Sequence, residues 1–422
     1  MGSTTTPARR RRSELGNITQ YASLETRSFT DEPFNAVDAL VLASLAYEKM
    51  PATVQTLDDA TARYGTLTAR MRSWLSGPRS AGTEQPPQPA PPRHRTRGLP
   101  FRAPFSDVTL GDVAEELDPK DFDVATGHTG LADPKLTQHL YEAVARSPRF
   151  APIRLDGYAD RFSRERQMQF AAVTMLLPDG TLAVVFRGTD DTFVGWKEDF
   201  NMAFQYPVPA QHAAAEYVNG VARLWRGPLV LLGHSKGGNL AVYAALNAPE
   251  KVAERITKVY SLDGPGFPSS VVNSPAYAAM MDRIEKIVPD SSIVGMIFET
   301  PEPCRVVRSD QQGPMQHLAF SWQVNGDDFD YLPEVAHSSQ LFNQSLNSWL
   351  ESMSTEQRER TVDALFSILH ASNTDSISGL MNAGLKAVPN MIGTFVGLSD
   401  EDRRHLLEAV NLFVSASLAR RR

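Results

Sequence analysis

An α/β architecture, in which a mainly parallel sheet is covered by helices on both faces and followed by a helical C-terminal extension, is predicted by three observations. From about residue 121, short apolar runs of strand length alternate with segments of helical period. The stretch GPLVLLGHSKGGNLAVYAALNAP passes directly from a buried-strand pattern into a helix. After about residue 340 the pattern is helical. Short apolar strands alternating with helices imply parallel pairing with helices on both sides of the sheet.

Taken in order, residues 1 to about 30 are polar and are expected to form a poorly ordered arm. In PFNAVDALVLASLAYEKM, Ala39, Leu42, Ala43 and Ala46 recur at helical spacing, which predicts a helix with one buried face, started near Pro33 and Asn35. Residues 78–100 are rich in Pro and Arg and nearly free of large apolar side chains, as in a solvated insertion. FAAVTMLLPDGTLAVVFRG is expected to be a hairpin turning at 178–180. PAQHAAAEYVNGVARLW predicts a helix, GPLVLLGH a strand, and GGNLAVYAALNAP a helix stopped by Pro249. KVYSLDGPGF, RIEKIVPD, CRVVRSD and LAFSWQV are expected to add strands. Ser354 is placed to cap a helix whose Val362, Leu365, Phe366 and Leu369 share a face, and Ser399 to cap the last helix. These signals divide the chain into an arm (1–30), a main domain (31–350, with the insertion at about 78–100) and a C-terminal extension (351–422) packed on that domain. No repeat of fixed period is present.

Composition narrows the function classes. A net charge of -7 argues against a general nucleic-acid binder. The single cysteine, Cys304, has no partner for a disulfide and no CxxC or His-rich neighbourhood that would suggest zinc, and a serine nucleophile of the kind the motifs below support needs neither a metal nor an organic cofactor. The Arg9–Arg12 run is not followed by an apolar h-region, so no secretory signal is expected and the chain is assigned to the cytoplasm. MGSTTT matches the myristoylation pattern in form, but so short a match is common by chance. No window approaches about 18 uncharged apolar residues, so no transmembrane helix is expected; peripheral contact of the arginine run with anionic lipid stays open.

The chemistry centres on G-H-S-K-G at 233–237, which fits G-x-S-x-G with a strand before it and a helix after it. Gly233 and Gly237 permit a tight turn that lifts the Ser235 hydroxyl clear of the strand end. The same turn points the Lys236 amide N–H and the helix N-terminus at a developing oxyanion. A serine nucleophile needs a base and an orienting acid, in the chain order Ser, Asp, His. Of the later histidines, His370 and His405 fall in terminal helices and His337 ranks behind His317, which sits in a loop after CRVVRSD. For the acid, Asp290 in IVPDSS is favoured over Asp263 in SLDGPGF, because acid and base are expected on successive strand ends. Thr189, after a β-branched run ending in Arg187 and Gly188, supplies an amide and a hydroxyl for the other half of an oxyanion hole. Arg187 is expected to be structural, against a carboxylate such as Asp199, and Asp190 and Asp191 to hold the turn.

LAVVFRGTDD, WKEDF, LLGHSKGGNLA, VYSLDGPGF and VPDSS together resemble the class-3 lipase group of α/β hydrolases. PFNAVDALVLASLAY joined to GHSKGGNLA resembles, more closely, a bacterial lipase-like family filed as a domain of unknown function. The resemblance covers about 30–50 and 120–370. It implies an α/β-hydrolase fold, with Ser235 as nucleophile, Thr189 as oxyanion residue, Asp290 as acid and His317 as base. Lys236 departs from the pattern, since lipases carry an apolar residue there.

The expected activity is therefore hydrolysis of a small-molecule or lipid carboxylic ester through an acyl-enzyme. A thioesterase or acyltransferase would use the same residues, and a silent binding or regulatory protein on the same scaffold is the alternative class. Residues 291–298 and 378–398 are apolar enough to border a lipid groove. Acyl chain length and oligomeric state are not written in these motifs.

Overall fold

In the computed structural model, which describes residues 16–76, 105–123 and 130–418, an eight-stranded sheet carries the site. Its strands are β1 (Arg154–Ser163), β2 (Met168–Leu176), β3 (Leu182–Phe186), β4 (Leu229–His234), β5 (Ile256–Leu262), β6 (Ile284–Pro289), β7 (Cys304–Val307) and β8 (Tyr331–Leu332). They lie in that order across the sheet. β3 to β7 are parallel, whereas β1 and β2 at one edge and β8 at the other pair antiparallel. Arg9–Arg12 and the Pro/Arg-rich insertion lie outside the described residues.

Alternation along the central strands builds a core on each face. In β3 and β4, Ala183, Val185, Val230 and Leu232 enter one apolar cluster, while Leu182, Val184, Leu229 and Leu231 enter the other. A period of two sends successive side chains to opposite faces, and both faces are apolar, so both must be covered. One cover includes α1 (Ile18–Leu24) and α2 (Ala36–Leu45). The other includes α4 (Pro209–Leu224) and α5 (Lys236–Leu246). Between them in the chain, α3 (Phe193–Asn201) follows the end of β3.

Three local expectations change. Residues 18–24, assigned to a polar arm, form α1, because Asn17 and Gln20 make a capping box and Ile18, Tyr21 and Ala22 are buried. α2 is buried on all sides rather than on one face, and its Asp38 is paired with Arg149 at 2.5 Å. LAFSWQV is a 3₁₀ turn at Ala319–Ser321 followed by the two-residue strand Val324–Asn325, which pairs with Asp328–Phe329 outside the main sheet.

Of the C-terminal helices α6 (His337–Glu351), α7 (Thr355–His370), α8 (Val388–Gly397) and α9 (Asp400–Leu418), α6, α7 and α9 border the cavity beside Ser235 at the end of β4, and α8 packs on α7. Ser354 and Ser399 accept the backbone N–H groups of Gln357 and Asp402, as their capping positions predict. Val362 and Phe366 of α7 are buried in a cluster with Phe193 of α3. Arg358 donates to the Ala203 carbonyl at 3.1 Å, which fastens α7 to the main domain. Among the described residues no helix is long and apolar enough to cross a membrane.

Candidate active site

The turn between β4 and α5 is strained at Ser235, a non-glycine residue with φ +59° and ψ -134°. Such backbones cost of order 1–3 kcal/mol and persist where the surroundings hold them. Here the Ser235 N–H donates to the Leu262 carbonyl of β5 at 2.9 Å, and the Gly238 N–H closes the turn on the Ser235 carbonyl. The turn has no room for side chains at its flanks. A Cβ at Gly233 would lie 2.3 Å from the Gly237 carbonyl carbon, and one at Gly237 would lie 2.2 Å from the Phe186 carbonyl oxygen of β3.

A second left-handed residue lies at the end of the neighbouring strand: Asp263, with φ +50°, follows β5. Its carboxylate is fully buried, and Oδ2 accepts from His317 Nδ1 at 2.6 Å. Oδ1 accepts from the Ser292 hydroxyl at 2.6 Å and the Gly295 N–H at 3.1 Å. The carboxylate hydrogen-bonded to His317 is therefore that of Asp263, the alternative to the favoured Asp290. The reason is lateral distance. β5 is adjacent to β4 and β6 is one strand further out, and each step is about 4.8 Å. The Asp290 backbone N–H donates to Val307 and its carbonyl accepts from Ala336.

His317 closes a 3₁₀ turn, Gly313–His317, beyond β7, and is the histidine that shares the Ser235 cavity along with His234. With Nδ1 held by Asp263, Nε2 is the ring nitrogen left to face a reacting group. His337 opens α6, His370 packs edge-on against Phe193, and His405 is buried in α9.

His234 was given no role by the motif, yet it holds His317. Its Nε2–H donates to the His317 carbonyl at 2.8 Å, so its Nδ1 accepts from the Tyr47 hydroxyl at 3.1 Å. Its ring lies 4.7 Å from that of His317. Burial, reinforced by His317, pulls the His234 pKa down to about 3, so the ring stays neutral. The unfolded chain then takes up this proton first as pH falls, and stability is lost from about pH 6.5 downward. By pH 4 the loss amounts to about 3 kcal/mol. The difference in unfolding free energy between the protein and a His234→Asn variant should narrow by about that amount between pH 7.5 and 4. A difference independent of pH in denaturant titrations would contradict this assignment.

The two expected oxyanion residues flank Ser235. Among the described residues no hydrogen bond engages the amide N–H of Thr189 or Lys236. The Thr189 hydroxyl, expected to face an oxyanion as well, instead donates to Asp199 Oδ2. The Lys236 side chain turns away from the cavity. Its Nζ is buried and donates to the Gln169 carbonyl at 3.1 Å, to Gln169 Oε1 at 2.8 Å and to Glu198 at 3.2 Å, with Asp199 Oδ1 at 3.5 Å. Burial lowers the Lys236 pKa, but Asp199, Glu198 and Asp190 outweigh it and hold the ammonium above its ordinary value. Desolvation pushes Asp199 up to about 6, and Lys236 limits the rise. The Asp199 side chain is 27% exposed, toward the cavity, so the desolvation comes from apolar walls as well as packing. Arg187 faces Asp160 at 3.4 Å and Asp190 at 3.8 Å, not Asp199. Asp190 accepts from Thr192 within the turn, whereas Asp191 accepts from Ser378 and ties the turn to the C-terminal extension.

Ser235, His317 and Thr189 open on a cavity of about 250 Å³ whose walls are overwhelmingly apolar. Leu346 and Leu350 of α6, Val362 and Leu365 of α7 and Leu406 of α9 roof it. Ile293, Val294 and Ile297 come from the segment 291–298, whose other duty is to hold Asp263. Residues 378–398 do not line the cavity, and Met381, Leu385, Ile392 and Val396 are exposed there. Tyr47, His234, Ser292 and Glu198 lay inside quoted patterns and Gln169 outside them, but none carried a role there, because each acts through partners distant in sequence.

No curated protein matches this chain. A family model described as Mbeg1-like matches residues 144–367, just over half of the chain and all of the stretch from Thr189 to His317.

Proposed function

The chain belongs to the Mbeg1-like family, a lipase-like α/β hydrolase family, and from that premise we propose that it is a serine hydrolase of carboxylic esters with an apolar acyl group. The observation that carries the proposal is the hydrogen bond from His317 Nδ1 to the buried Asp263 carboxylate, beside the strained Ser235 turn. In the proposed cycle the Ser235 hydroxyl attacks the ester carbonyl. His317 Nε2 takes the serine proton and returns it to the leaving alkoxide, and Asp263 holds the imidazole tautomer and offsets its positive charge. The Thr189 and Lys236 amides, with the N-terminus of α5, stabilise the oxyanion. Water then attacks the acyl-enzyme, with His317 as base, and releases the acid.

The apolar cavity favours acyl chains over acetyl groups. Each further buried methylene contributes about 0.8 kcal/mol, close to a fourfold gain in kcat/KM until the cavity is full. A fluorophosphonate probe is expected to label the wild-type protein and to leave Ser235→Ala unlabelled. p-Nitrophenyl ester turnover should fall by about three orders of magnitude or more in that variant. Across the ester series, medium chains should exceed acetate. Equal labelling of the two proteins would end the hydrolase reading, and a sharp preference for acetate would end the acyl-cavity part of it.

A further inference from the structure

The side chain at 236 is an ammonium where the resembled lipases carry an apolar group, and the hydrolytic steps above use only its backbone. Its surroundings give the side chain a task. Lys236 opens α5 directly after Ser235, and Thr189 follows β3; their amides are the two oxyanion donors of the proposed reaction, and they belong to segments far apart in the chain. Both side chains converge on one carboxylate. Thr189 donates to Asp199 Oδ2, and Lys236 Nζ stands 3.5 Å from Asp199 Oδ1. Glu198, next to Asp199 on α3, accepts from the same ammonium at 3.2 Å, and also from the Gln169 N–H of β2 and the Ala210 N–H of α4. The Gln169 side-chain oxygen accepts from Lys236 and from the Asp190 N–H, the residue after Thr189.

We propose, on the hydrolase reading, that Lys236 is a positioning residue. Its ammonium, through Asp199 and Glu198, locks the turn after β3 to the turn after β4 and so sets the spacing of the two amides that receive the oxyanion. A methylene chain ending in a methyl group fills the same space but bonds neither carboxylate, so the two turns would be free to shift independently. Oxyanion donors act only within a narrow range, about 2.7–3.1 Å from the charge, so a small shift is felt in the transition state more than in substrate binding.

The test is a double-mutant cycle between Lys236→Met and Thr189→Val, read as kcat, KM and the second-order rate of fluorophosphonate labelling, with circular dichroism and thermal melting as the check on folding. Lys236→Met is expected to lower kcat and the labelling rate by about a hundredfold with KM within about threefold, the size seen when one oxyanion donor is lost. In the Thr189→Val background the same change should cost much less, because the link through Asp199 is already broken. If Lys236→Met alone fails to fold, the pair Lys236→Met with Glu198→Gln, which leaves one buried carboxylate fewer unpaired, carries the same comparison. A folded variant with unchanged kcat and labelling, or effects that multiply independently, would overturn the proposal while leaving Ser235 as nucleophile. Absence of labelling in the wild-type protein would instead remove the hydrolase reading on which it rests.

Discussion

Replacing Asp263 by asparagine is expected to lower kcat by about three to four orders of magnitude, while the same change at Asp290 leaves turnover within about tenfold. The amide keeps the shape of the side chain but turns an acceptor pair into an acceptor and a donor. His317 Nδ1–H, 2.6 Å from Oδ2, would then face either a neutral oxygen or an amide N–H, and the second arrangement forces the wrong tautomer. The charge that offsets a developing imidazolium is lost in both cases. Ser292 and Gly295 hold Oδ1, so the side chain has no second place to go. Asp290 lies one strand further from Ser235, and its backbone bonds to Val307 and Ala336 do not depend on its charge. Single-turnover kinetics with both variants decide the matter: loss of acyl-enzyme formation in Asp290→Asn with retention in Asp263→Asn would reverse the assignment.

The second large effect is on folding. Gly237→Ala should destabilise the protein by about 3 kcal/mol or more, or prevent its recovery in soluble form. The new Cβ would sit 2.2 Å from the Phe186 carbonyl oxygen, a backbone atom of a central strand that cannot rotate away. Gly233→Ala meets the Gly237 backbone at 2.3 Å and should behave alike. The contrast is Gly393 in α8, where an added Cβ meets nothing within 4 Å, so Gly393→Ala should be neutral or stabilising by up to about 1 kcal/mol. Denaturant unfolding of the three variants checks this, and similar stabilities for Gly237→Ala and Gly393→Ala would mean that the strand-to-helix turn is looser than drawn.

Much of this molecule was legible from local pattern. The parallel sheet follows from apolar runs separated by helices, the caps at Asn35, Ser354 and Ser399 from side chains that satisfy the nearest free N–H groups, and the turn at Ser235 from glycines that nothing larger can replace. These features depend on neighbours within a few residues. The pairing of Arg187 with Asp160 rather than Asp199, and the burial of α2 on all sides, were not legible, because they depend on which elements land beside them.

The candidate site divides along the same line. Ser235 and His317 carried their own signals, a motif in strand-to-helix context and a loop position after a late strand. The choice between Asp263 and Asp290 had no such signal, since both end a strand in the same kind of loop. The lateral order β4, β5, β6 sets Asp263 one strand from Ser235 and Asp290 two, and Asp263 is the carboxylate bonded to His317. Lys236 shows the same limit from the other side. The sequence alone determined that a cation follows the serine, and only the tertiary structure decided that it points into the protein, onto Glu198 and Asp199 of α3, rather than toward a substrate. A buried charge takes its direction from the carboxylates that can compensate it, and those are assembled by packing, not by adjacency in the chain.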